Sequence, residues 1–126
     1  QQDASFFSFF GEAGLRALVD RFYKEMDELP EARAIRDMHA PELTEVKDKL
    51  ARFLCGWLGG PKLFQEKYGP ISIPGAHRPF PIGRAERDAW LLCMKRAVEA
   101  QPYQEDFKEY LLRQLAIPAE RVRNRE

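Results

Sequence analysis

Three side chains in this sequence carry chemistry in settings that restrict them: His77, Tyr23 and Trp90. His77 lies in GAHRPFPIG, residues 75–83, with Pro74, Pro79 and Pro81 around it. Each proline ring fixes φ and disfavours helix in the residue before it, so the stretch from Pro70 to Gly83 is expected to be an extended loop. A neutral imidazole binds a metal through one ring nitrogen, and a stiff loop aims it. Tyr23 and Trp90 each carry one polar hydrogen on an apolar ring, a donor that seeks a partner when buried. A planar apolar cofactor with iron at its centre would use all three groups. Taken singly they have ordinary readings: a surface histidine, and two aromatic core residues.

Other chemistries are harder to build. With two histidines and two cysteines, the chain cannot supply a Cys/His zinc cluster. Cys55 and Cys93 are flanked by apolar residues and match no metal or redox spacing; they read as reduced core thiols, with a disulfide as the alternative. Ser5, Ser8 and Ser72 stand in no GxSxG context, and no glycine-rich phosphate loop occurs. Glu42 with Glu45, and Glu105 with Asp106, stand where helices begin and read as favourable helix-end charge. The 20 Lys+Arg balance the 20 Asp+Glu. That balance argues against a nucleic-acid partner, which needs a clustered positive excess. The basic RVRNRE at the end reads as a solvated or frayed tail. No apolar run approaches the roughly 20 residues that span a bilayer, so no membrane association is expected. No leader pattern opens the sequence, and a cytoplasmic location is the expectation.

The elements that position these residues follow from periodicity. Leu15, Leu18, Val19, Phe22, Tyr23 and Met26 form one apolar face of a helix over about residues 12–28, ended by Pro30. EARAIRD predicts one or two short turns. Leu43, Val46, Leu50, Phe53, Leu54, Trp57 and Leu58 predict a second helix stopped by Gly59-Gly60-Pro61. KLFQEKYG predicts two turns closed by Gly69. Helix resumes near Arg84, with Trp90, Cys93, Met94, Ala97 and Val98 on one face. A last helix carries Phe107, Tyr110, Leu111, Gln114 and Leu115, and Pro118 marks its end or a short extra turn. No alternating strand pattern is present. The expectation is an all-α single domain over 1–126, with SFFSFF in a short N-terminal helix or extension (1–10) and a tail at 118–126.

RFYKEM, FLCGWLGGPKLF, AHRPFPIG and ERDAWLLCM, in this order and spacing, resemble the group II truncated haemoglobins, the short globins of bacteria and plants. The resemblance runs from about Gly11 to Leu115. It implies a truncated globin fold, a two-over-two helical sandwich around haem b (iron protoporphyrin IX). His77 matches the proximal iron ligand. Tyr23 and Trp90 match distal residues that donate hydrogen bonds to a bound ligand. His39, or Met38 in a neighbouring register, matches a residue packing over the haem; as His39 it adds a third polar group, and either it or Tyr23 ligates iron when no gas is present. The alternative for His39 is a surface histidine before Pro41. Val46 falls where many globins place a distal histidine. Phe22, Val46, Leu50, Phe53, Leu54, Phe80, Ile82 and Met94 would line the haem pocket, and Lys49, Tyr68 and Arg78 would meet the propionates or be plain surface residues.

The resemblance implies binding of dioxygen and other diatomic ligands, with peroxidase-like activity or detoxification of nitric oxide and reactive species rather than bulk oxygen transport. An electron donor or reductase would be a separate partner, and the chain a monomer or homodimer. Oxygen storage without catalysis is the alternative. A helical interaction module without haem is another, in which Tyr23, Trp90 and the Phe53 face are ordinary core.

Overall fold

The structure, a computed structural model, describes residues 4–70 and 73–125, and among them it contains helices and no strands. The helices are α1 (Ala4–Glu28), α2 (Arg33–Asp37), α3 (Thr44–Trp57), α4 (Leu63–Tyr68), α5 (Ile73–His77), α6 (Arg84–Glu99) and α7 (Glu105–Arg121), with a 3-10 turn at Pro30–Ala32. The backbone groups into two compact units. One holds Gln1–Asp20 and Pro41–Ile71, the other Arg21–Ala40 and Ser72–Glu126.

The helix expected over residues 12–28 is the main part of α1. At Gly11 the backbone leaves helical geometry (φ 67, ψ 169), a conformation essentially reserved for glycine, so the SFFSFF segment forms a separate helical piece before a kink. How the side chains of SFFSFF pack lies outside the described residues. Leu15, Leu18 and Val19 are buried to 1% exposure or less, as the periodicity requires. Pro30 ends the helix and opens the 3-10 turn, where its missing N–H costs nothing.

In the first unit α4 packs against α3. The N–H of Gly60 donates to the Cys55 carbonyl at 2.9 Å, which closes the C-terminus of α3. Glu42 accepts from the backbone and hydroxyl of Thr44 at 3.0 and 2.7 Å, a local cap at the start of the same helix.

In the second unit α6 packs on α7, while α2 and the 3-10 turn pack on α6 and α5 packs on α7. Cys93, Met94, Ala97 and Val98 are fully buried along α6. Both cysteines are free buried thiols, as expected. Burial pushes the Cys93 thiol up to about 11, which makes it unreactive.

Three expectations need correction. The proline stretch is not wholly extended: Ile73–His77 forms a five-residue helix with Pro74 in its first turn, where a fixed φ and absent N–H suit a helix start. Pro118 does not end the last helix. α7 runs through it to Arg121, although the Gln114 carbonyl loses its i+4 donor. Pro118 and Ala119 are buried, and that burial offsets the break in the ladder. Nor is the segment beyond it frayed: Arg87 and Arg123 both bond Glu120, at 2.6 and 2.8 Å, and hold its carboxyl down at about 2.

Gly69 ends α4 at φ 87, ψ −173, and an added Cβ there meets nothing within 4 Å. The cost of Gly69→Ala is therefore backbone strain alone. The expected loss is about 1–3 kcal/mol in chemical denaturation. Unchanged stability would contradict this geometry at the end of α4.

Candidate functional site

The second unit brings Tyr23, Trp90 and His39 together through Phe22. Phe22 and Tyr23 are neighbours on α1, and their ring centroids stand 4.8 Å apart, edge to face at 80°. Phe22 also meets the Trp90 ring at 5.1 Å, and Tyr23 meets the His39 ring at 5.7 Å. Phe22 is fully buried and Tyr23 is 4% exposed. Expected as a pocket wall, Phe22 is the ring that touches both Tyr23 and Trp90.

Burial acts on each polar tip. It pushes the Tyr23 phenol well above its ordinary range, so the O–H stays protonated as a donor at any physiological pH. Burial also lowers His39, opposed by its bond to the Ile35 carbonyl and assisted by the charges of Arg36 and His77, which keeps the ring neutral. The His39 Nδ1 lies 2.8 Å from the Ile35 carbonyl oxygen. A carbonyl only accepts, so Nδ1 carries the proton in the neutral ring and Nε2 is left as an acceptor.

His77 is the last residue of α5 and is half-buried. Its carbonyl accepts from the Phe80 N–H at 3.0 Å. Ile82 and Met94 are buried in the same unit, at 8% and 0% exposure, while Phe80 is 37% exposed and Trp90 half-buried. Arg78 is exposed. Among the described residues, no three His, Cys, Asp or Glu side chains group to hold a metal ion.

The first unit carries the other expected residues. On α3, Leu54 is buried while Val46, Leu50 and Phe53 are half-buried, an apolar stripe incompletely covered. Lys49 pairs with Glu45 at 3.3 Å and lies 5.3 Å from the centre of the Tyr68 ring. The Tyr68 hydroxyl donates to Asp48 at 2.7 Å.

Asp48 is a residue that sequence reasoning missed. Its carboxylate accepts from Arg16 (2.9 Å), Arg52 (2.8 Å), Lys67 (3.0 Å) and Tyr68. Arg16, Asp48, Lys67 and Tyr68 line a cleft of about 920 Å³. Desolvation works to raise the Asp48 carboxyl, but bonds from Tyr68, Lys67, Arg16 and Arg52 outweigh it and hold the group far below the ordinary 3.8. Only the Asp48–Arg52 spacing of four on one helix was a signal in the sequence.

A second missed residue, Asn124, stands in the basic segment expected to be a tail. Its Oδ1 accepts from the Ile82 N–H at 2.9 Å, and its Nδ2 donates to the carbonyls of Phe80 at 2.9 Å and His77 at 3.5 Å.

Comparison with known proteins places these features in a family context. The family described as bacterial-like globin matches residues 5–124. The group 2 truncated haemoglobin YjbI of Bacillus subtilis (strain 168) is 35% identical over 114 residues, covering 90% of this chain and 84% of that protein. Among solved structures, the cold-adapted truncated haemoglobin of the Antarctic marine bacterium Pseudoalteromonas haloplanktis TAC125 superposes with a TM-score of 0.90 at 32% identity, covering 95% of this chain and 98% of that one. The group II 2-on-2 haemoglobin of the plant pathogen Agrobacterium tumefaciens gives 0.89 at 37% identity, covering 96% and 95%. The truncated oxygen-avid haemoglobin of Bacillus subtilis gives 0.85 at 34%, covering 94% and 98%. The all-helical, truncated 2-on-2 fold expected from the sequence is the fold of this chain.

The Asp48 cluster sets a pH dependence. A carboxyl held below its unfolded value contributes stability that is fully present above the ordinary aspartate range and is lost as pH falls toward the folded value. Asp48→Asn is therefore expected to lower stability at pH 7 by about 1–2 kcal/mol, discounted for the part-exposed cations, and to flatten the fall in stability below about pH 4. Acid titration of the unfolding free energy, wild type beside variant, checks both. Parallel curves would contradict the cluster.

Proposed function

The chain belongs to the bacterial-like globin family, among the group II truncated haemoglobins, and from that premise we propose that it holds haem b and binds dioxygen and other diatomic ligands at the iron. The observation that carries the reading is the contiguous run, in one unit, of the Trp90, Phe22, Tyr23 and His39 rings.

The donor set fits haem. One imidazole makes a poor site for a bare ion, and no three-residue ligand group exists among the described residues. A metal that arrives with four ring nitrogens of its own needs only one more ligand, and His77 supplies a nitrogen of the right kind. The macrocycle also needs apolar surface. Phe22, Ile82 and Met94, buried in the second unit, and the exposed Phe80 beside them in sequence are assigned to supply it, and Arg78 of the same unit is assigned to a propionate.

When bound, haem would supply a ferrous iron able to take a diatomic ligand. Every other contribution comes from the chain. The Tyr23 O–H, kept protonated by burial, and the Trp90 indole N–H donate to a ligand that carries partial negative charge. Such donors act in a medium that excludes water, where each is worth more than in solution. His39 presents an Nε2 acceptor beside Tyr23, which gives a proton somewhere to go. That polar set favours a further redox role, peroxidase-like or in detoxifying nitric oxide and reactive species, over bulk oxygen transport. Electrons for it would come from a separate donor or reductase. Oxygen storage without catalysis remains the second reading, and the solved Bacillus subtilis relative called oxygen-avid supports its binding half.

The experiment is stopped-flow dioxygen release from haem-loaded protein. Loss of one charge-assisted donor in Tyr23→Phe is expected to accelerate release about tenfold to a hundredfold, and Trp90→Phe about tenfold. Peroxide turnover in the same variants separates the two readings: a fall with Tyr23→Phe and His39→Leu supports the redox role. Release rates unmoved by either Tyr23 or Trp90 would remove the distal assignment.

A further inference from the structure

We propose that Asn124 is a positioning residue for the His77 imidazole, a clamp between the end of the chain and the loop that follows α5. The inference rests on the reading of His77 as the iron ligand. Pro79 and Pro81 have no N–H, so the loop from His77 to Gly83 cannot satisfy its own carbonyls. Within it, Arg78 donates to Gly75 at 3.3 Å and Phe80 to His77 at 3.0 Å. At the end of the loop the Gly83 N–H donates to Glu86 at 2.8 Å, and three groups between meet one side chain. Asn124 takes the Ile82 N–H on its Oδ1 and gives its Nδ2 hydrogens to Phe80 (2.9 Å) and, at the limit of reach, His77 (3.5 Å).

A carboxamide suits these contacts, because the three groups are one donor and two acceptors and the amide supplies the complementary set. The backbone completes the clamp: the N–H groups of Asn124 and Arg125 both donate to the Ile82 carbonyl, at 2.8 and 3.0 Å. Both ends of the loop, His77 and Ile82, are thereby tied to one residue. α5 is five residues long, and the tie adds to its packing on α7 in holding the backbone from which the His77 side chain leaves. The clamp residue is itself anchored. Arg123 donates to the Glu120 carboxylate at 2.8 Å and through its backbone to the Glu120 carbonyl at 3.1 Å, and Arg87 at the start of α6 donates to the same carboxylate at 2.6 Å.

The test uses the full chain with Asn124→Ala, Asn124→Asp and, as a control at the opposite end of α7 that leaves the clamp and its anchor intact, Glu105→Gln. In haem-free protein, hydrogen exchange at the Ile82 amide is expected to quicken about tenfold in Asn124→Ala and to stay protected in Asn124→Asp, which keeps the acceptor. In haem-loaded ferrous protein, the iron–imidazole stretching band in resonance Raman is expected to shift and broaden in both Asn124 variants and to hold its wild-type position in Glu105→Gln. If Asn124→Ala does not fold, Asn124→Asp carries the Raman test alone. An Ile82 amide indifferent to Asn124→Ala overturns the clamp. Quickened exchange with an unmoved Raman band overturns the positioning role. Retention of the band in His77→Gly would remove the ligand assignment beneath the proposal, and the Ile82 exchange result would still stand by itself.

Discussion

Two prolines on either side of Phe80 remove backbone donors from the loop that carries the His77 carbonyl. The physical constraint is one of accounting: a stiff loop of this composition has more acceptors than it can serve. In this fold the deficit is met from the far end of the sequence, by Asn124 and Arg125. That explains why α7 runs through Pro118 at the cost of one helical bond. A helix that stopped there would leave the chain end without a path to Ile82. The salt bridges of Arg87 and Arg123 to Glu120 belong to the same device, since they fix the turn from which Asn124 reaches back.

The cluster of Tyr23, His39 and Trp90 follows a different logic. Tyr23, His39 and Trp90 are polar at one tip and apolar elsewhere, and their apolar parts pack on Phe22 or one another. Packing fixes the rings, while burial decides protonation: it raises the phenol and lowers the imidazole, so one is a donor and the other neutral. The Ile35 carbonyl then selects the tautomer of His39. Position, charge state and tautomer thus come from three separate causes, none of which requires a charged group in the cluster.

Much of this was legible in the sequence. Periodicity marked the four long helices and the short turns, and the motifs around Tyr23, His77 and Trp90 pointed to the family. The misreadings have physical reasons. Proline was treated as a helix breaker at Pro74 and Pro118, yet position within the helix and tertiary burial decide its effect. Asn124 sits among arginines in a segment with no apolar periodicity, and its role depends on Ile82, which lies far from it in sequence. Asp48 is similar: one partner, Arg52, was visible at helical spacing, whereas Arg16 and Lys67 come from other elements. Local pattern reports local contacts, and hubs served by distant residues leave no such trace.

The central claim is that one imidazole, His77, suffices to bind haem iron in this chain. Its most direct test is a haem titration followed in the Soret region, with ferrous spectra before and after carbon monoxide, for wild type and for His77→Gly with and without added imidazole. The account predicts one haem per wild-type chain, a carbon monoxide shift, loss of the wild-type ferrous spectrum in the variant, and its return with imidazole. Stoichiometric uptake with an unchanged ferrous spectrum in His77→Gly would contradict it, and so would a wild-type chain that takes up no haem.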